Sequence, residues 1–282
     1  MFTTVSAGPY TIRGVSLGGL YTSLHVPELD AVFDVGLAPR QFAAARNIFL
    51  SHGHADHIGA LCTLLGIRGL HRMPPPQLFV PAAISDEVDA MLAAFGRLQR
   101  FALPVVLRPM EPGDEVALKG GIFVRAFKTH HPVPSLGYQF VRRTQKLKPA
   151  YIDLPGPEIG RRRAQGDDLF YTQETPELAY ATDTLLRVID THPSLLDTRV
   201  LILECSFLDD RKSLADSRAG CHVHLDELVP RAPEFQNEAL VLMHFSQLYE
   251  PAEVREILAR RCPAALRARL VPLLPEGAVW NV

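Results

Sequence analysis

The chain has 282 residues, 47% hydrophobic and 21% charged, with a formal net charge of −2. This composition supports a sizeable globular core, and the slight negative charge excludes a uniformly basic nucleic-acid-binding protein. No apolar run approaches the ~18 residues of a membrane-spanning helix, and the amino terminus lacks the pattern of a secretory signal. The four cysteines are scattered and form no Cys-x-x-Cys pair. We therefore expect reduced thiols rather than disulfides or a thiolate zinc knuckle.

Short apolar segments typical of strands recur along the whole chain, with helical patterns between some of them. The predicted strands are 31–35, 48–50, 78–80, 122–127, 136–141, 178–182, 200–203 and 240–245. The predicted helices are 58–70, 83–101, 225–232 and 251–261, the last opening with a proline suited to a first turn. Strands at both ends with helices between them favour one layered α/β domain over residues 1–282 rather than separate halves.

Residues 52–57 read His-Gly-His-Ala-Asp-His and follow the predicted strand 48–50. The carboxyl end of a strand is where open α/β sheets place their sites. His52 and His54 are spaced so that one metal ion can take both imidazoles, and Asp56 and His57 fall on the opposite side of the turn, where they can serve a second ion. Imidazole and carboxylate ligands suit Zn²⁺, with Mn²⁺ or Fe²⁺ as substitutes. A lone histidine is usually a core or surface residue, but this hexad predicts a two-metal hydrolase.

A basic stretch runs from Arg142 to Arg163. It contains seven basic residues and two acidic ones, together with three prolines and two glycines. This composition predicts an exposed, partly irregular excursion at about residues 142–168. A charge run is most often a solvated surface, and the alternative is a site for an anionic partner.

The hexad resembles the signature of the metallo-β-lactamase superfamily, and further matches point to its ribonuclease Z branch, the tRNA 3′-processing endonucleases in their short form. His131 precedes a Gly-Tyr pair by six residues, as in that family, and its neighbour His130 would face the other way on a strand. Asp183 lies in Thr-Asp-Thr where the family has Gly-Asp-Thr, and His244 matches the last metal ligand. The resemblance covers about residues 10–280 and implies a four-layered αββα sandwich.

The resemblance also implies two Zn²⁺ ions per chain. Their ligands would be His52, His54 and His131 for one ion and Asp56, His57 and His244 for the other, with Asp183 bridging. The implied activity is that of an endoribonuclease that removes the 3′ trailer from tRNA precursors by attack of hydroxide on a phosphodiester, leaving a 3′-hydroxyl. Two zinc ions about 3.5–4 Å apart lower the pKa of a water towards about 7 and clamp phosphoryl oxygens.

The residues expected to act in catalysis are Asp56, His222 and Glu204. His222 would donate a proton to the leaving 3′-oxygen, and Glu204, in a Glu-Cys-Ser-Phe segment similar to the family's Glu-Ala-Thr-Phe, would orient the imidazole and raise its pKa. A His-x-His pair alone is more often incidental or a second metal site, and the role of His224 stays open. Asp34 resembles an aspartate that supports a metal ligand, although a cap at the strand end explains it almost as well.

The family engages tRNA through a Gly-Pro motif and a basic segment, which the end of the basic stretch resembles. The resemblance therefore implies a tRNA-binding arm whose RNA-binding residues are Lys146, Lys148, Arg161, Arg162 and Arg163. Besides the threonine that precedes Asp183, the chain departs from the family at two places. Residues 18–23 do not match a proline- and arginine-containing loop, and Leu248 replaces the arginine of Ser-x-Arg-Tyr.

Two alternatives stand beside the tRNA precursor endonuclease. One is another dinuclear-zinc hydrolase of the superfamily, acting on a small phosphodiester, thioester or lactone, and the basic stretch and the His222–Glu204 pair argue against it. The other is a non-catalytic RNA-binding relative, against which the presence of all seven ligands argues. The resemblance also implies a homodimer, and we expect a cytoplasmic protein with no membrane partner.

Overall fold

The computed structural model describes residues 2–280. Within this range the strands are β1 (Thr3–Ala7), β2 (Tyr10–Gly18), β3 (Tyr21–Val26), β4 (Ala31–Phe33), β5 (Asn47–Phe49), β6 (Gln77–Pro81), β7 (Val106–Met110), β8 (Glu115–Ala117), β9 (Ile122–Lys128), β10 (Leu136–Leu147), β11 (Phe170–Tyr180), β12 (Val200–Glu204), β13 (Ala239–Met243), β14 (Phe245–Ser246) and β15 (Leu270–Pro272). The α-helices are α1 (Ala55–Ile58), α2 (Leu61–Leu70), α3 (Ser85–Gln99), α4 (Gly156–Ala164), α5 (Val188–Thr191), α6 (Ser194–Asp197), α7 (Leu214–Ala219), α8 (Leu225–Leu228), α9 (Pro251–Arg261) and α10 (Ala264–Arg267).

The strands form two mixed sheets. The amino-terminal sheet has the order β1-β2-β3-β4-β5-β6-β7, with β14 beside β2, and the carboxy-terminal sheet has the order β15-β13-β12-β11-β10-β9-β8. In each sheet, antiparallel strands join a parallel set, which is β4 to β7 in one sheet and β11, β12, β13 and β15 in the other. Because parallel neighbours need crossover connections, helices α2 and α3 link β5, β6 and β7.

Aromatic side chains fill the space between the two sheets. Phe33 stacks on Tyr180 with ring centroids 4.8 Å apart, and Phe49 lies edge-on to Phe140 at 5.3 Å. A second buried cluster packs α2 and α3 on the outer face of the amino-terminal sheet, and a third packs α9 and its neighbours on the outer face of the other sheet. The layer order is helix, sheet, sheet, helix, which confirms the predicted αββα sandwich.

Three predicted elements are interrupted, and each interruption has a local cause. The predicted helix 58–70 divides into α1 and α2 at Ala60, whose φ of −103° and ψ of 9° are not helical. The predicted helix 225–232 keeps only α8, because a 3₁₀ segment with Pro230 and Pro233 follows it. The predicted strand 240–245 breaks at His244, whose φ is +59°.

The basic stretch, which the sequence predicts to be an exposed and partly irregular excursion, contains a strand and a helix joined by turns. Strand β10 continues to Leu147, which pairs with Phe170 at the start of β11, so the excursion begins on one strand of a two-stranded antiparallel extension of the carboxy-terminal sheet and ends just before the other. Its tip carries α4, and the prolines occupy helix-starting positions rather than breaking a helix. We call residues 142–168 the arm.

Candidate metal centre

The hexad forms a tight loop between β5 and α1. His54 lies at the N-cap position of α1, so Asp56 and His57 belong to the first turn of that helix. The backbone N–H of His57 donates to the carbonyl oxygen of His54 at 2.9 Å, which closes the turn. His52 therefore leaves the strand end, while His57 enters from the helix beside it.

Three histidine nitrogens converge on one point beside this loop. His54 Nδ1 lies 3.1 Å from His52 Nε2 and 3.2 Å from His131 Nε2. Zn–N bonds of about 2.0–2.1 Å in a tetrahedron place neighbouring ligand atoms roughly 3.3 Å apart, so these nitrogens have the spacing of one coordination sphere. Burial, together with the nearby His57, lowers the pKa of His52 to about 2, which keeps that imidazole in the neutral, metal-binding form.

A second set of ligand atoms converges next to the first. Asp183 Oδ2 lies 3.4 Å from His57 Nε2 and 3.3 Å from His244 Nε2, and Asp56 Oδ2 lies 3.7 Å from each of these nitrogens. A ligand atom of Asp183 also lies within 4.8 Å of ligand atoms of His52 and His57. Asp183 therefore stands between the two sets.

Buried atoms without partners test whether metal ions fit here. His57 Nε2, His244 Nε2 and Asp183 Oδ1 are buried, and none of them has a hydrogen-bond partner within the described part of the chain. Buried polar atoms are rarely left unpaired in native proteins. Cations between two sets of imidazole and carboxylate donors would satisfy all three, so the residues present fit a pair of metal ions.

The neighbouring His130 takes no part in these sets. Its Nε2 lies 3.2 Å from the Thr191 hydroxyl, and its backbone N–H donates to the Thr184 hydroxyl. The backbone N–H of Leu136 donates to the Ser51 carbonyl at 3.0 Å, which ties the loop carrying His131 to the hexad.

Asp34 lies beneath the centre and is fully buried. Its carboxylate accepts hydrogen bonds from His57 Nδ1 at 2.8 Å, from the Ser51 N–H and O–H groups at 2.7 Å each, and from the Tyr180 hydroxyl at 2.5 Å. A carboxylate on the second ring nitrogen of a metal-binding histidine fixes its tautomer and orientation. Of the two explanations that the sequence allows for Asp34, this geometry favours support of a metal ligand.

His222 and Glu204 form a pair facing the same cavity. His222 Nδ1 lies 2.9 Å from Glu204 Oε1, and a ligand atom of His222 lies within 4.8 Å of ligand atoms of Asp183 and His244. Burial opposes the imidazolium, but the charge and hydrogen bond of Glu204 outweigh it and raise the pKa of His222 to about 9. The pair can therefore hold a proton beside the two ligand sets at neutral pH.

The side chain of His224 is buried and forms hydrogen bonds to the protein backbone. It is 1% exposed, its Nδ1 accepts from the Asp226 N–H at the start of α8, and its Nε2 donates to the carbonyl oxygens of Asp209 and Lys212. The imidazole caps a helix and holds the 209–212 loop, away from the ligand sets.

The two segments where the chain departs from the family lie side by side. Gln247 Nε2 donates to the Gly18 carbonyl at 3.1 Å, and Leu248 is 48% exposed. Arg211, which no sequence motif singled out, donates to the Leu248 carbonyl at 3.0 Å and lies 4.3 Å from the Tyr249 ring centroid. Sequence patterns could not mark Arg211, because it lies 37 positions from Leu248 and reaches it only in the folded chain.

The arm holds the predicted RNA-binding residues away from the ligand sets. Strand β10 begins beside the hexad and runs to Leu147, which at about 3.3 Å per residue places its far end up to roughly 36 Å away. Lys146 and Lys148 lie at that end, and residues 161–163 occupy the last turn of α4.

Comparison with known proteins agrees with this architecture. Residues 29–245 match the beta-lactamase superfamily domain. The chain is 35% identical over 266 residues to an Arabidopsis thaliana protein named tRNase Z TRZ1, covering 94% of this chain and 95% of that protein. It is 34% identical to the chloroplastic tRNase Z TRZ2 of the same plant, covering 94% and 75%.

The crystal structure of human tRNase Z, short form, superposes with a TM-score of 0.57 over 84% of this chain and 92% of that chain. At 17% identity this match shows the shared fold. The coverage and identity of the plant proteins decide the family. The chain belongs to the beta-lactamase superfamily and, within it, to the tRNase Z family.

Proposed function

We propose that this protein is a metal-dependent endoribonuclease that removes the 3′ trailer from tRNA precursors and leaves a 3′-hydroxyl. The observation that carries the proposal is the buried Glu204–His222 pair facing two sets of metal-ligand atoms, in a chain that aligns with proteins named tRNase Z over 94% of its length. No observation favours a small phosphodiester, thioester or lactone as the substrate.

Two Zn²⁺ ions are the proposed cofactors, with Mn²⁺ or Fe²⁺ as substitutes. His52, His54 and His131 would hold one ion, Asp56, His57 and His244 the other, and Asp183 would bridge them. When bound, such a pair lowers the pKa of a water towards about 7 and neutralises charge on phosphoryl oxygens.

The chain's own residues would complete the reaction. His222 would give its proton to the leaving 3′-oxygen, and Glu204, 2.9 Å from His222 Nδ1, would stabilise the imidazolium until that transfer. Burial raises the pKa of Asp56, but the neighbouring imidazoles of His244 and His57, whose Nε2 atoms lie 3.7 Å from Asp56 Oδ2, outweigh burial and lower that pKa to about 2. The ionised Asp56 can therefore accept a hydrogen bond from the attacking water and orient it.

The arm is the proposed tRNA-binding element. Phosphates of folded tRNA are recognised largely through shape and charge, and the arm presents Lys146 and Arg163 without ion-pair partners among the described residues. Lys148, Arg161 and Arg162 pair with exposed or half-buried carboxylates, weak contacts that phosphate oxygens can replace.

A homodimer in the cytoplasm is part of the proposal. No helix in residues 2–280 is long and apolar enough to cross a membrane. The family resemblance supports the dimer, and light scattering coupled to size-exclusion chromatography measures it directly.

End-mapped cleavage of a 3′-extended tRNA precursor tests the function. With zinc or manganese, we expect one cut, after the nucleotide that precedes CCA or, in a precursor without CCA, after the nucleotide to which CCA would be added. With a chelator we expect no cut. A His54→Ala variant is the matched inactive control. Comparing precursors with and without CCA shows whether an enzyme with the altered segments at 18–23 and 248 distinguishes between the two 3′ ends. An intact precursor, with bis(p-nitrophenyl) phosphate still cleaved, would favour the small-substrate hydrolase instead.

A further inference from the structure

Two buried serines occupy matching places in the two halves of the centre. Ser51 follows β5 in the amino-terminal sheet, and Ser206 follows β12 in the carboxy-terminal sheet, each two residues after the strand ends. Ser51 is 0% and Ser206 2% exposed. Each one bonds both to a buried carboxylate and to a proposed metal ligand, so the two halves share one hydrogen-bonding pattern.

Ser51 has a single hydroxyl proton, and this fixes the direction of its hydrogen bonds. Its hydroxyl lies 2.7 Å from Asp34 Oδ2, and an ionised carboxylate only accepts, so Ser51 donates there. The same oxygen accepts from the Thr182 hydroxyl at 2.8 Å and lies 2.9 Å from His52 Nδ1. Because the single hydroxyl proton is committed to Asp34, His52 Nδ1 must be the donor, which leaves His52 Nε2 with a free lone pair.

Ser206 likewise has one hydroxyl proton, and a carboxylate accepts it. Its hydroxyl donates to Glu204 Oε2 at 2.6 Å and lies 3.0 Å from His244 Nδ1. With its proton committed to Glu204, Ser206 accepts from His244 Nδ1–H, and His244 Nε2 is left free. That nitrogen is the buried, unpartnered atom 3.3 Å from Asp183 Oδ2.

In each half a second histidine binds the same carboxylate directly. His57 Nδ1 donates to Asp34 at 2.8 Å, and His222 Nδ1 donates to Glu204 at 2.9 Å. One carboxylate therefore orients two imidazoles, one directly and the other through a serine hydroxyl.

We propose that Ser51 and Ser206 are positioning residues that hold His52 and His244 in the Nδ1–H tautomer, with Nε2 free for metal. The inference rests on the proposed metal centre and is independent of RNA being the substrate. Removing a hydroxyl that orients a metal-binding histidine lowers metal affinity by about 10- to 100-fold, so each serine controls the affinity of one metal position.

Metal release into a chelator, followed without RNA, tests the proposal. Ser51→Ala and Ser206→Ala should each release one of two zinc ions about 10- to 100-fold faster than the wild type, and Ser51→Thr and Ser206→Thr should restore slow release. Thr198→Val is the control. It removes a buried hydroxyl near the other end of β12, where Thr198 bonds Gln139 and the Ser194 carbonyl. Release at the wild-type rate from both alanine variants would overturn the proposal.

A second measurement needs no variant to fold. In metal-free wild-type protein, histidine ring ¹⁵N chemical shifts should show the proton on Nδ1 of His52 and His244, with each ring assigned by through-bond correlation to its own backbone resonances. A proton on Nε2 of either residue rejects the role of its serine. Precursor cleavage by the wild type is scored separately, so failure of the RNA assignment and failure of the serine assignment are distinguished.

Discussion

Three non-glycine residues at the metal centre have left-handed backbone conformations. They are Asp34, Thr182 and His244, with φ of +54°, +49° and +59°. Such conformations cost on the order of 1 kcal/mol or more for residues with a Cβ atom. Each side chain is tied into the network of Ser51 or Ser206. The Thr182 hydroxyl bond to Ser51 gives a reason for threonine where the family has glycine.

The Glu204–His222 pair predicts a specific pH dependence. Glu204 raises the pKa of His222, and the protonated imidazole is the proposed acid, so turnover should fall as pH rises through that pKa. In Glu204→Gln the neutral amide no longer stabilises the imidazolium. We expect the alkaline limb of kcat to move to lower pH, measured on a precursor tRNA over a pH series.

His222→Ala is the companion variant. It should lower turnover by about 10²–10⁴-fold, the usual contribution of a positioned acid, and abolish that alkaline limb while two metals per chain remain bound. Release of metal from His222→Ala would instead identify His222 as a ligand, which its distance to Asp183 and His244 allows.

At the scale of elements, the basic residues at the base of the arm form ion pairs with glutamates outside it. Arg142 pairs with Glu177, and Arg143 pairs with Glu174 and Glu115, so these two arginines stabilise the base of the arm. The positive charge available to RNA is therefore concentrated towards the tip. The sequence count of seven basic residues overstates the free charge, because Glu115, Glu174 and Glu177 come from outside the stretch.

The double variant Lys146→Ala, Arg163→Ala tests the arm. We expect KM for precursor tRNA to rise, and the slope of log affinity against log salt to fall in magnitude by about 0.7–0.9 for each phosphate that the protein no longer neutralises. Cleavage of bis(p-nitrophenyl) phosphate should stay unchanged, because β10 carries these residues far from the ligand sets. Arg108→Ala with Arg260→Ala removes equal charge elsewhere and should leave KM alone. An equal decrease in kcat/KM for precursor tRNA and for bis(p-nitrophenyl) phosphate would contradict an RNA-binding role.

At the scale of the whole molecule, the proposed ligands link the two sheets. His52 to His57 follow the amino-terminal sheet, whereas His131, Asp183 and His244 follow strands of the carboxy-terminal sheet. Metal bound at 100 times its Kd stabilises a folded protein by about 2.7 kcal/mol, and about 2–4 °C of Tm accompanies each kcal/mol in a domain of this size. Chelation should therefore lower Tm by on the order of 5 °C or more.

Differential scanning calorimetry with and without chelator measures this shift. His244→Ala, which lacks one proposed ligand, should start at a lower Tm and respond less to the chelator. A wild-type protein that contains zinc by elemental analysis and keeps its Tm on chelation would contradict a link between the sheets.

The sequence by itself predicted the strands and helices with strong local patterns, the αββα layers through resemblance, and the family. It also placed the hexad on a strand end, because turn chemistry and ligand spacing are local. It did not predict that the arm begins on a strand paired with β11, because 22 residues whose composition is typical of loops separate the two strands.

Only the tertiary structure decided which groups meet. Ser51, Ser206 and Thr182 carry no motif of their own, and their hydroxyls gain a role because separate strand ends converge on one edge of the sandwich. The division of the arm's charges depends likewise on glutamates brought near by strand pairing. Local sequence sets which residues can bind a metal, and long-range packing occupies Nδ1 of His57 and His244 and leaves their Nε2 atoms without a partner among the described residues.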